Sequence, residues 1–177
     1  CCPISGSKAC LYLDSTKNSR VEAMDANPKM ISIGKKKLNN YKNIRWNVGR
    51  AEKLKFDDNV FDFYTISFGL RNVANIDQTL KEAFRVLKPG GRFMCLEFSK
   101  VQNSYLNKIY QIYSKKIPKI GKFIVGESKP YKYLIDSIGN FYNQEELVNL
   151  MKKNDFYKSE YRNLSGGVVA IHSGWKI

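Results

Sequence analysis

The sequence predicts one α/β domain organised around a mainly parallel sheet, and three observations lead to that prediction. Segments typical of strands alternate along the chain with amphipathic segments typical of helices. The 177 residues are about what one compact domain needs, and 43% of them are hydrophobic, enough to form a sizeable core. No internal repeat or low-complexity linker divides the chain. We therefore expect a single domain over residues 1–177.

The first predicted elements are a strand, a helix and a second strand. Residues 20–25 (RVEAMD) alternate polar and apolar side chains and end on an acid, which indicates a strand. Asn27 and Pro28 then begin a helix that extends to about Leu38, because asparagine caps helices well and proline suits their first turn. Residues 44–48 are predicted to be a short second strand.

The middle of the chain predicts a strand, a helix and a further strand. Residues 60–68 are aromatic and β-branched, the composition of a buried strand. Residues 77–87 are amphipathic and are predicted to form a helix. The sequence Lys-Pro-Gly-Gly at residues 88–91 is expected to end that helix, and residues 92–98 are expected to return as a strand.

Residues 99–138 interrupt the alternation of strands and helices, and we interpret them as an insertion that caps a ligand site. An additional packed helix is the alternative. The segment begins with apolar side chains at helical spacing and continues with helix-breaking residues. The side chains at helical spacing are Leu106, Ile109, Tyr110 and Tyr113, and the breakers are Pro118, Gly121, Gly126 and Pro130.

The last part of the chain predicts a helix followed by a β-hairpin. Residues 143–153 carry acids in the first turn and lysines in the last, the arrangement that the helix dipole favours. Residues 157–163 and 168–175 have strand character and flank a Ser-Gly-Gly turn at residues 165–167. We therefore predict an antiparallel hairpin at the C-terminal end of the domain.

Charge and composition exclude several classes of protein. Thirty Lys and Arg against sixteen Asp and Glu give a net charge of +14, which suits an anionic membrane surface or nucleic acid. The lysines are dispersed and no aromatic RNA-binding motif occurs, so no nucleic-acid partner is expected. Nearly uncharged runs such as residues 64–70 are too short to cross a bilayer. The four cysteines lack metal-ligand or disulfide spacing, so no metal is expected.

The ends of the predicted strands carry side chains that suit an adenosine-containing ligand, since ligands of doubly wound sheets bind beyond the carboxyl ends of the strands. Asp25 ends the first strand, where a carboxylate can accept hydrogen bonds from both ribose hydroxyls. Capping of the following helix is the alternative role. Gly49, Arg50 and Ala51 follow the second strand, where small residues let an adenine ring approach the backbone, or simply form a turn.

The central predicted strand ends at Ser67, and a cation and an amide follow it. Gly69 permits a turn, and Arg71 and Asn72 then lie where a pocket is expected to open. A surface salt bridge is the alternative role for Arg71. The sequence therefore predicts a binding site at this edge of the sheet, with Arg71 and Asn72 among its polar groups.

Seven stretches of the sequence together carry a family resemblance. Residues 65–73 (TISFGLRNV) and 167–176 (GVVAIHSGWK) are its most specific motifs, whereas LKPGG at residues 87–91, within the stretch 84–92, is more widespread. With them the sequence resembles the UbiE-type ubiquinone/menaquinone biosynthesis C-methyltransferases, and their mitochondrial branch in particular. The resemblance covers nearly everything after about residue 20. The other motifs lie at residues 25–30, 51–56, 84–92, 96–100 and 131–134 with 137–138.

The resemblance implies a class I S-adenosylmethionine-dependent methyltransferase fold, a Rossmann-like sheet ending in an antiparallel hairpin. It implies S-adenosyl-L-methionine as the methyl donor and a prenylated benzoquinol ring carbon as the acceptor, in ubiquinone biosynthesis. Carried over to this sequence, Asp25 would hold the ribose hydroxyls, Arg50 and Ala51 would lie beside the adenine, and Ser67 would line the cofactor near its methionine end. The family usually has asparagine at position 50.

The beginning of the chain departs from the family pattern. Relatives have a Gly-x-Gly turn after a first strand, whereas this chain has only Ser5-Gly6-Ser7 and starts at Cys1 without an initiator methionine. The expectation is an N-terminally truncated domain that lacks the first strand and the glycine turn. Activity of the chain itself is then the open question.

For the reaction, Arg71 and Asn72 are the hypothesised catalytic residues, because they can stabilise a developing phenolate through charge-assisted hydrogen bonds. Arg71 stays protonated and cannot act as a base. The only histidine, His172, has the appropriate pKa class for a base, but a structural role in the terminal hairpin is at least as well supported.

The long apolar substrate implies work at a membrane surface, on the matrix side of the mitochondrial inner membrane, as a peripheral protein. Residues 105–113 are the candidate apolar tunnel and residues 115–122 its basic collar, with a solvated basic face as the alternative. Expected partners are other quinone-biosynthesis proteins, and a homodimer is compatible with the sequence. The alternatives are a non-catalytic scaffold subunit of a quinone-biosynthesis complex and a menaquinone-pathway methyltransferase.

Overall fold

The computed structural model describes residues 19–101 and 129–177, the first four residues of the second range by their backbone alone. Strands and helices alternate through the first range, and a helix pair and a hairpin follow in the second. The elements are β1 (Val21–Asp25), α1 (Pro28–Lys37), β2 (Ile44–Val48), β3 (Phe61–Ser67), α2 (Ile76–Val86), β4 (Leu87–Phe98), α3 (Lys129–Gly139), α4 (Gln144–Lys153), β5 (Tyr157–Leu164) and β6 (Val169–Trp175).

The described strands form two sheets. β1 and β2 pair in parallel, with Asp25 opposite Val48. The second sheet has the order β3-β4-β6-β5, in which β3 and β4 are parallel and β6 runs antiparallel to both of its neighbours. The predicted α/β class and the terminal hairpin are therefore confirmed. The pairs β1–β2 and β3–β4 are parallel, and β6 is antiparallel to β4 and β5.

Two helices begin where the sequence predicts them, because their capping residues make the expected hydrogen bonds. The Asn27 side chain accepts a hydrogen bond from the Lys29 backbone N–H, and Pro28 is the first residue of α1. At α4, Asn143 and Glu146 form a capping box, in which each side chain accepts the backbone N–H of the other residue. These local contacts satisfy N–H groups that the first turn of a helix leaves without a partner.

The prediction that residues 60–68 form a buried strand is wrong in one respect. The strand exists as β3, but Phe63 is 63% exposed and Val60 44% exposed. β3 is the edge strand of its sheet in the described part, and the side chains that pack against the core are Phe61, Tyr64 and Ile66. The composition predicts a strand correctly, but not which of its faces is covered.

The helix ends just before the Lys-Pro-Gly-Gly sequence, as predicted, but the next strand begins earlier than the predicted residue 92. α2 ends at Val86 and β4 begins at Leu87, so residues 88–91 belong to the strand. Gly90 has a φ of 81°, in the left-handed region that favours glycine, and its N–H donates to the Lys176 carbonyl at 2.8 Å. The helix therefore passes directly into β4, which is anchored to the end of β6.

Pro130 was expected to interrupt a helix, but it is the second residue of α3, in the first turn where proline is tolerated. The remaining residues named for the insertion lie outside the described residues, as do the candidate tunnel and basic collar at residues 105–122. The cap therefore stays a prediction.

The main core lies between the four-stranded sheet and the helices α2 and α4. Leu80, Phe93, Leu147 and Met151 are fully buried in it. A smaller cluster around Ala23, with Trp46 at its margin, covers the β1–β2 pair.

The segment that follows β2 fastens the β1–β2 pair to α2. The Leu54 N–H donates to a Glu82 carboxylate oxygen at 2.7 Å, and the Arg85 guanidinium donates to the Leu54 and Phe56 carbonyls. Arg85 also pairs with Asp58 and Glu82. These contacts join the two sheets through one helix.

Candidate functional site

Asp25 lies at the carboxyl end of β1, half-buried, as predicted. Its Oδ1 accepts the Asn27 backbone N–H at 2.8 Å, so Asp25 holds the residue before α1, whereas the Asn27 side chain caps the helix. Its carbonyl accepts the Gly49 N–H at 3.1 Å, which fixes the end of β1 against the residue after β2. Within residues 19–101 and 133–177, the second carboxylate oxygen has no hydrogen-bond partner. As far as the described residues go, one oxygen of Asp25 is thus available to a hydroxyl group.

Glu52, which the sequence reasoning gave no role, connects the ends of β2 and β3. Its Oε1 accepts the Ala74 N–H at 2.7 Å and lies 3.4 Å from Nη2 of the exposed Arg50. Burial alone would raise the pKa of Glu52, but backbone N–H donors and Arg50 hold it below its usual value. Ala51 is half-buried beside this link. The strand ends that carry Asp25, Arg50 and Ala51 are therefore tied to the loop that follows β3.

The chain turns sharply after Ser67, the last residue of β3. Ser67 is half-buried and lies opposite Leu96 of β4. Phe68 has a φ of 52°, an uncommon conformation for a residue with a side chain, and its N–H donates to the Leu96 carbonyl at 2.8 Å. Gly69 has a φ of −120°, open to any residue, so the turn predicted at Gly69 is made by Phe68 instead.

Arg71 lies in the 3₁₀ turn Leu70–Asn72, and its side chain is paired inside the protein. Its Nη1 donates to Glu97 Oε1 at 2.5 Å, and its backbone N–H donates to Oε2 at 3.3 Å. The two side chains are only 3% and 1% exposed. The alternative of a surface salt bridge is therefore wrong, because the bridge is buried, and Glu97 is a site residue that the sequence reasoning missed.

Further contacts hold the Arg71 guanidinium in one orientation. Nη1 also donates to the Phe68 carbonyl at 3.1 Å, Nε donates to Ser137 Oγ at 3.3 Å, and the group lies 5.2 Å from the centre of the Phe98 ring. Burial raises the pKa of Glu97, and the positive charge of Arg71 acts against that rise. The result is a fixed cation at the carboxyl end of β4.

Asn72 is exposed, and its amide is held from two sides. Nδ2 donates to the Phe68 carbonyl at 3.4 Å, while the hydroxyl of Tyr133 donates to Oδ1 at 3.0 Å. Tyr133 belongs to α3, so this helix reaches both predicted catalytic residues, Asn72 through Tyr133 and Arg71 through Ser137. The side chains of Glu97, Tyr133 and Ser137 thus surround Arg71 and Asn72, which are neighbours in the 3₁₀ turn.

His172 lies away from these contacts. Its ring is 1% exposed, Nε2 is 3.2 Å from the Gln144 carbonyl at the start of α4, and Nδ1 has no partner among the described residues. Burial lowers the pKa of His172, which favours the neutral ring. The sequence left a structural and a catalytic role of His172 open, and these contacts favour the structural role.

Elsewhere, the described residues offer weaker candidates for a functional site. A surface cleft of about 350 Å³ lies at the amino end of β3, where Arg85 and Lys176 already have protein partners. Over residues 19–101 and 129–177, no group of three or more His, Cys, Asp or Glu residues could hold a metal ion. None of the helices in those two ranges is long and apolar enough to span a bilayer.

Solved structures identify the class of protein that this arrangement of strands and helices defines. A SAM-dependent methyltransferase from Aquifex aeolicus has a TM-score of 0.64, with 15% identity, over 91% of this chain and 71% of that one. One from Methanosarcina mazei has a TM-score of 0.59, with 20% identity, over 89% of this chain and 82% of that one. The fold is that of the class I S-adenosylmethionine-dependent methyltransferases.

The family follows from sequence comparison. The model of the ubiE/COQ5 methyltransferase family matches residues 2–176, and the chain belongs to that family. It is 51% identical to the mitochondrial 2-methoxy-6-polyprenyl-1,4-benzoquinol methylase of Bos taurus, over 93% of this chain and 51% of the relative. It is 49% identical to the ubiquinone/menaquinone biosynthesis C-methyltransferase UbiE of Rickettsia bellii, over 93% of this chain and 68% of the relative. The chain thus spans about half the length of the mitochondrial relative.

Proposed function

We propose that the chain transfers a methyl group from S-adenosylmethionine to a ring carbon of a polyprenylated benzoquinol in ubiquinone biosynthesis. Membership of the ubiE/COQ5 family supports the reaction class. The observation that carries the assignment to this site is the buried Arg71–Glu97 pair beside the exposed Asn72, because it fixes a cation and an amide at the strand ends.

The residues at the ends of β1, β2 and β3 fit the methyl donor. The unpartnered oxygen of Asp25 suits a ribose hydroxyl, the backbone around Arg50 and Ala51 suits the adenine, and Ser67 suits the methionine end. When bound, S-adenosylmethionine supplies a methyl group on a positively charged sulfur. The protein contributes alignment, which is worth about 7–11 kcal/mol in well-oriented reactions.

On the acceptor side, Arg71 and Asn72 stabilise the negative charge that forms on a ring oxygen when its hydroxyl loses a proton. That charge spreads to the neighbouring ring carbons and makes one of them nucleophilic. That carbon would accept the methyl group in exchange for its hydrogen, which would leave as a proton to water. Glu97 acts through Arg71, because it holds the guanidinium in place.

Methyl transfer by Arg71→Ala tests this assignment. Transfer to the benzoquinol is expected to be lost while S-adenosylmethionine binding is largely retained, and Arg162→Ala, on the exposed face of β5, is the matched control. Because Arg71→Ala leaves the Glu97 carboxylate buried and unpaired, the double variant Arg71→Ala with Glu97→Gln is measured beside it. Undiminished transfer by either variant would remove Arg71 from the mechanism.

The proposal also includes the location of the protein in the cell. The mitochondrial relatives and the net charge of +14 support a mitochondrial protein bound peripherally to the matrix side of the inner membrane. Flotation with cardiolipin-containing vesicles tests that binding.

The bacterial relative is named for both quinones, which favours a menaquinone-pathway acceptor as the second candidate. A demethylated menaquinol in the methyl-transfer assay distinguishes the two acceptors.

A further inference from the structure

Tyr133 presents a hydroxyl group to the side of the site where the ring would bind. It lies one helical turn before Ser137 on α3, and both side chains contact the 3₁₀ turn that carries the predicted catalytic residues. Its hydroxyl donates to Asn72 Oδ1 at 3.0 Å, so its proton is already committed. A hydroxyl oxygen retains acceptor capacity after it donates. The oxygen of Tyr133 is therefore able to receive a hydrogen bond.

The exposure of Tyr133 sets it apart from a tyrosine that only packs. It is 54% exposed, although its hydroxyl is fixed to the protein. Tyr64, by contrast, is partly buried against the core, where its ring stacks on Phe93. Tyr133 thus combines an accessible aromatic face with a hydrogen-bonded hydroxyl, two features that suit a flat ring bearing an OH group.

The other acidic or hydroxyl side chains of the cluster already have partners. Glu97 accepts from Arg71 Nη1 and from the backbone N–H groups of Arg71 and Phe98, and it is buried. Ser137 Oγ accepts from Arg71 and donates to the Leu134 carbonyl. Arg71 and the Asn72 amide nitrogen are donors. In the described part of this cluster, the exposed acceptors for a hydroxyl donor are consequently the Tyr133 oxygen and Asn72 Oδ1, and Tyr133 itself occupies one lone pair of the latter.

We propose that Tyr133 is a substrate-binding residue that accepts a hydrogen bond from a hydroxyl group of the quinol ring. The inference rests on the proposed function and specifies its acceptor site. It makes Tyr133 a residue that distinguishes the reduced ring, which carries donor hydroxyls, from its dimethyl ether or its quinone, which carry none.

Ligand binding tests this without relying on turnover. The dissociation constants of methoxyhydroquinone and of its dimethyl ether are measured by anaerobic titration calorimetry with the wild-type chain, Tyr133→Phe and the control Tyr142→Phe. Tyr142 is also exposed, at 39%, and lies in the loop before α4. The wild type and Tyr142→Phe are expected to prefer the hydroquinone about fivefold to tenfold, which is what one uncharged hydrogen bond gives, and Tyr133→Phe is expected to lose that preference.

A preference that persists in Tyr133→Phe would overturn the inference, and so would a wild type without any preference. Because the ring is half exposed, phenylalanine is expected to leave the fold intact. Nitration of wild-type Tyr133, located by mass spectrometry, provides a second measurement, and the hydroquinone should slow it more than the dimethyl ether does. Failure of the proposed function is distinguishable from failure of this inference. In that case the wild type would discriminate between the two ligands but would transfer no methyl group.

Discussion

At the scale of single residues, the buried Arg71–Glu97 pair determines the character of the site. Both side chains are almost fully buried, and Glu97 also accepts two backbone N–H groups. We expect Glu97→Gln to destabilise the fold by about 3–5 kcal/mol, because it leaves the guanidinium without its counter-charge. Urea unfolding measures the loss, with Glu160→Gln, 71% exposed on β5, as the matched control. Equal stability of the two variants would contradict this account of the pair.

The single histidine gives a prediction about pH. Burial lowers the pKa of His172, so the folded protein takes up that proton less readily than the unfolded chain. Stability is therefore expected to fall as the pH falls through the unfolded-state pKa of about 6.5, with a slope of at most about 1.4 kcal/mol per pH unit. Urea unfolding of the wild type and of His172→Gln across this range measures the slope. The same slope in both proteins would show that His172 is not its source.

Some residues of the site could be predicted, because they lie at the ends of strands and ligands of this fold bind there. Asp25 and Ser67 end predicted strands, and the structure confirms both positions. Glu97 was not predictable as the partner of Arg71, because it is one acid in a strand and the contact joins residues 26 positions apart. Tyr133 was missed for the same reason, since it meets Asn72 only after α3 packs on the 3₁₀ turn.

At the scale of elements, the packing of α1 on β2 predicts an unusual effect of a glycine substitution. Replacing a helical glycine with alanine commonly stabilises a protein by about 0.5–1 kcal/mol. At Gly34 the added Cβ would collide with the Trp46 ring, so we expect Gly34→Ala to destabilise by about 1–3 kcal/mol. Gly139→Ala, at the end of α3, meets nothing within 4 Å and is the matched control.

Thermal unfolding and tryptophan fluorescence, compared in the Trp175→Phe background so that Trp46 is the emitting residue, measure the effect of Gly34→Ala. We expect a lower melting temperature and a changed emission spectrum for this variant, and neither change for Gly139→Ala. Stabilisation by both substitutions would mean that α1 does not lie against Trp46 as described.

The first and last residues of each element could largely be predicted, but the elements that pack beside it could not. The starts of α1 and α4 follow from Asn27 and Asn143, whose capping contacts are local in sequence. The exposure of β3 depends on which elements lie beside it, and composition carries no such information. LKPGG follows the end of α2 as predicted, but the direct passage into β4 was missed because the hydrogen bond of Gly90 to Lys176, just after β6, joins residues far apart in the sequence.

At the scale of the whole molecule, the sequence predicted the α/β class and the terminal hairpin, and both are confirmed. It did not predict that the described strands form two sheets, since strand order depends on contacts between distant segments. The link through Glu52 and Ala74, together with the attachment of Leu54 to α2, joins these sheets at the strand ends. The account depends on that shared edge forming one binding site for the methyl donor and the quinol.

Calorimetric titration with S-adenosylmethionine tests this claim most directly. The wild-type chain, Asp25→Ala and the control Asp57→Ala, an exposed aspartate after β2, are compared at the same salt concentration. We predict measurable binding to the wild type, about tenfold weaker binding to Asp25→Ala, and unchanged binding to Asp57→Ala. No binding to the wild type, or the same affinity in all three proteins, would contradict a methyl-donor site at the ends of β1, β2 and β3.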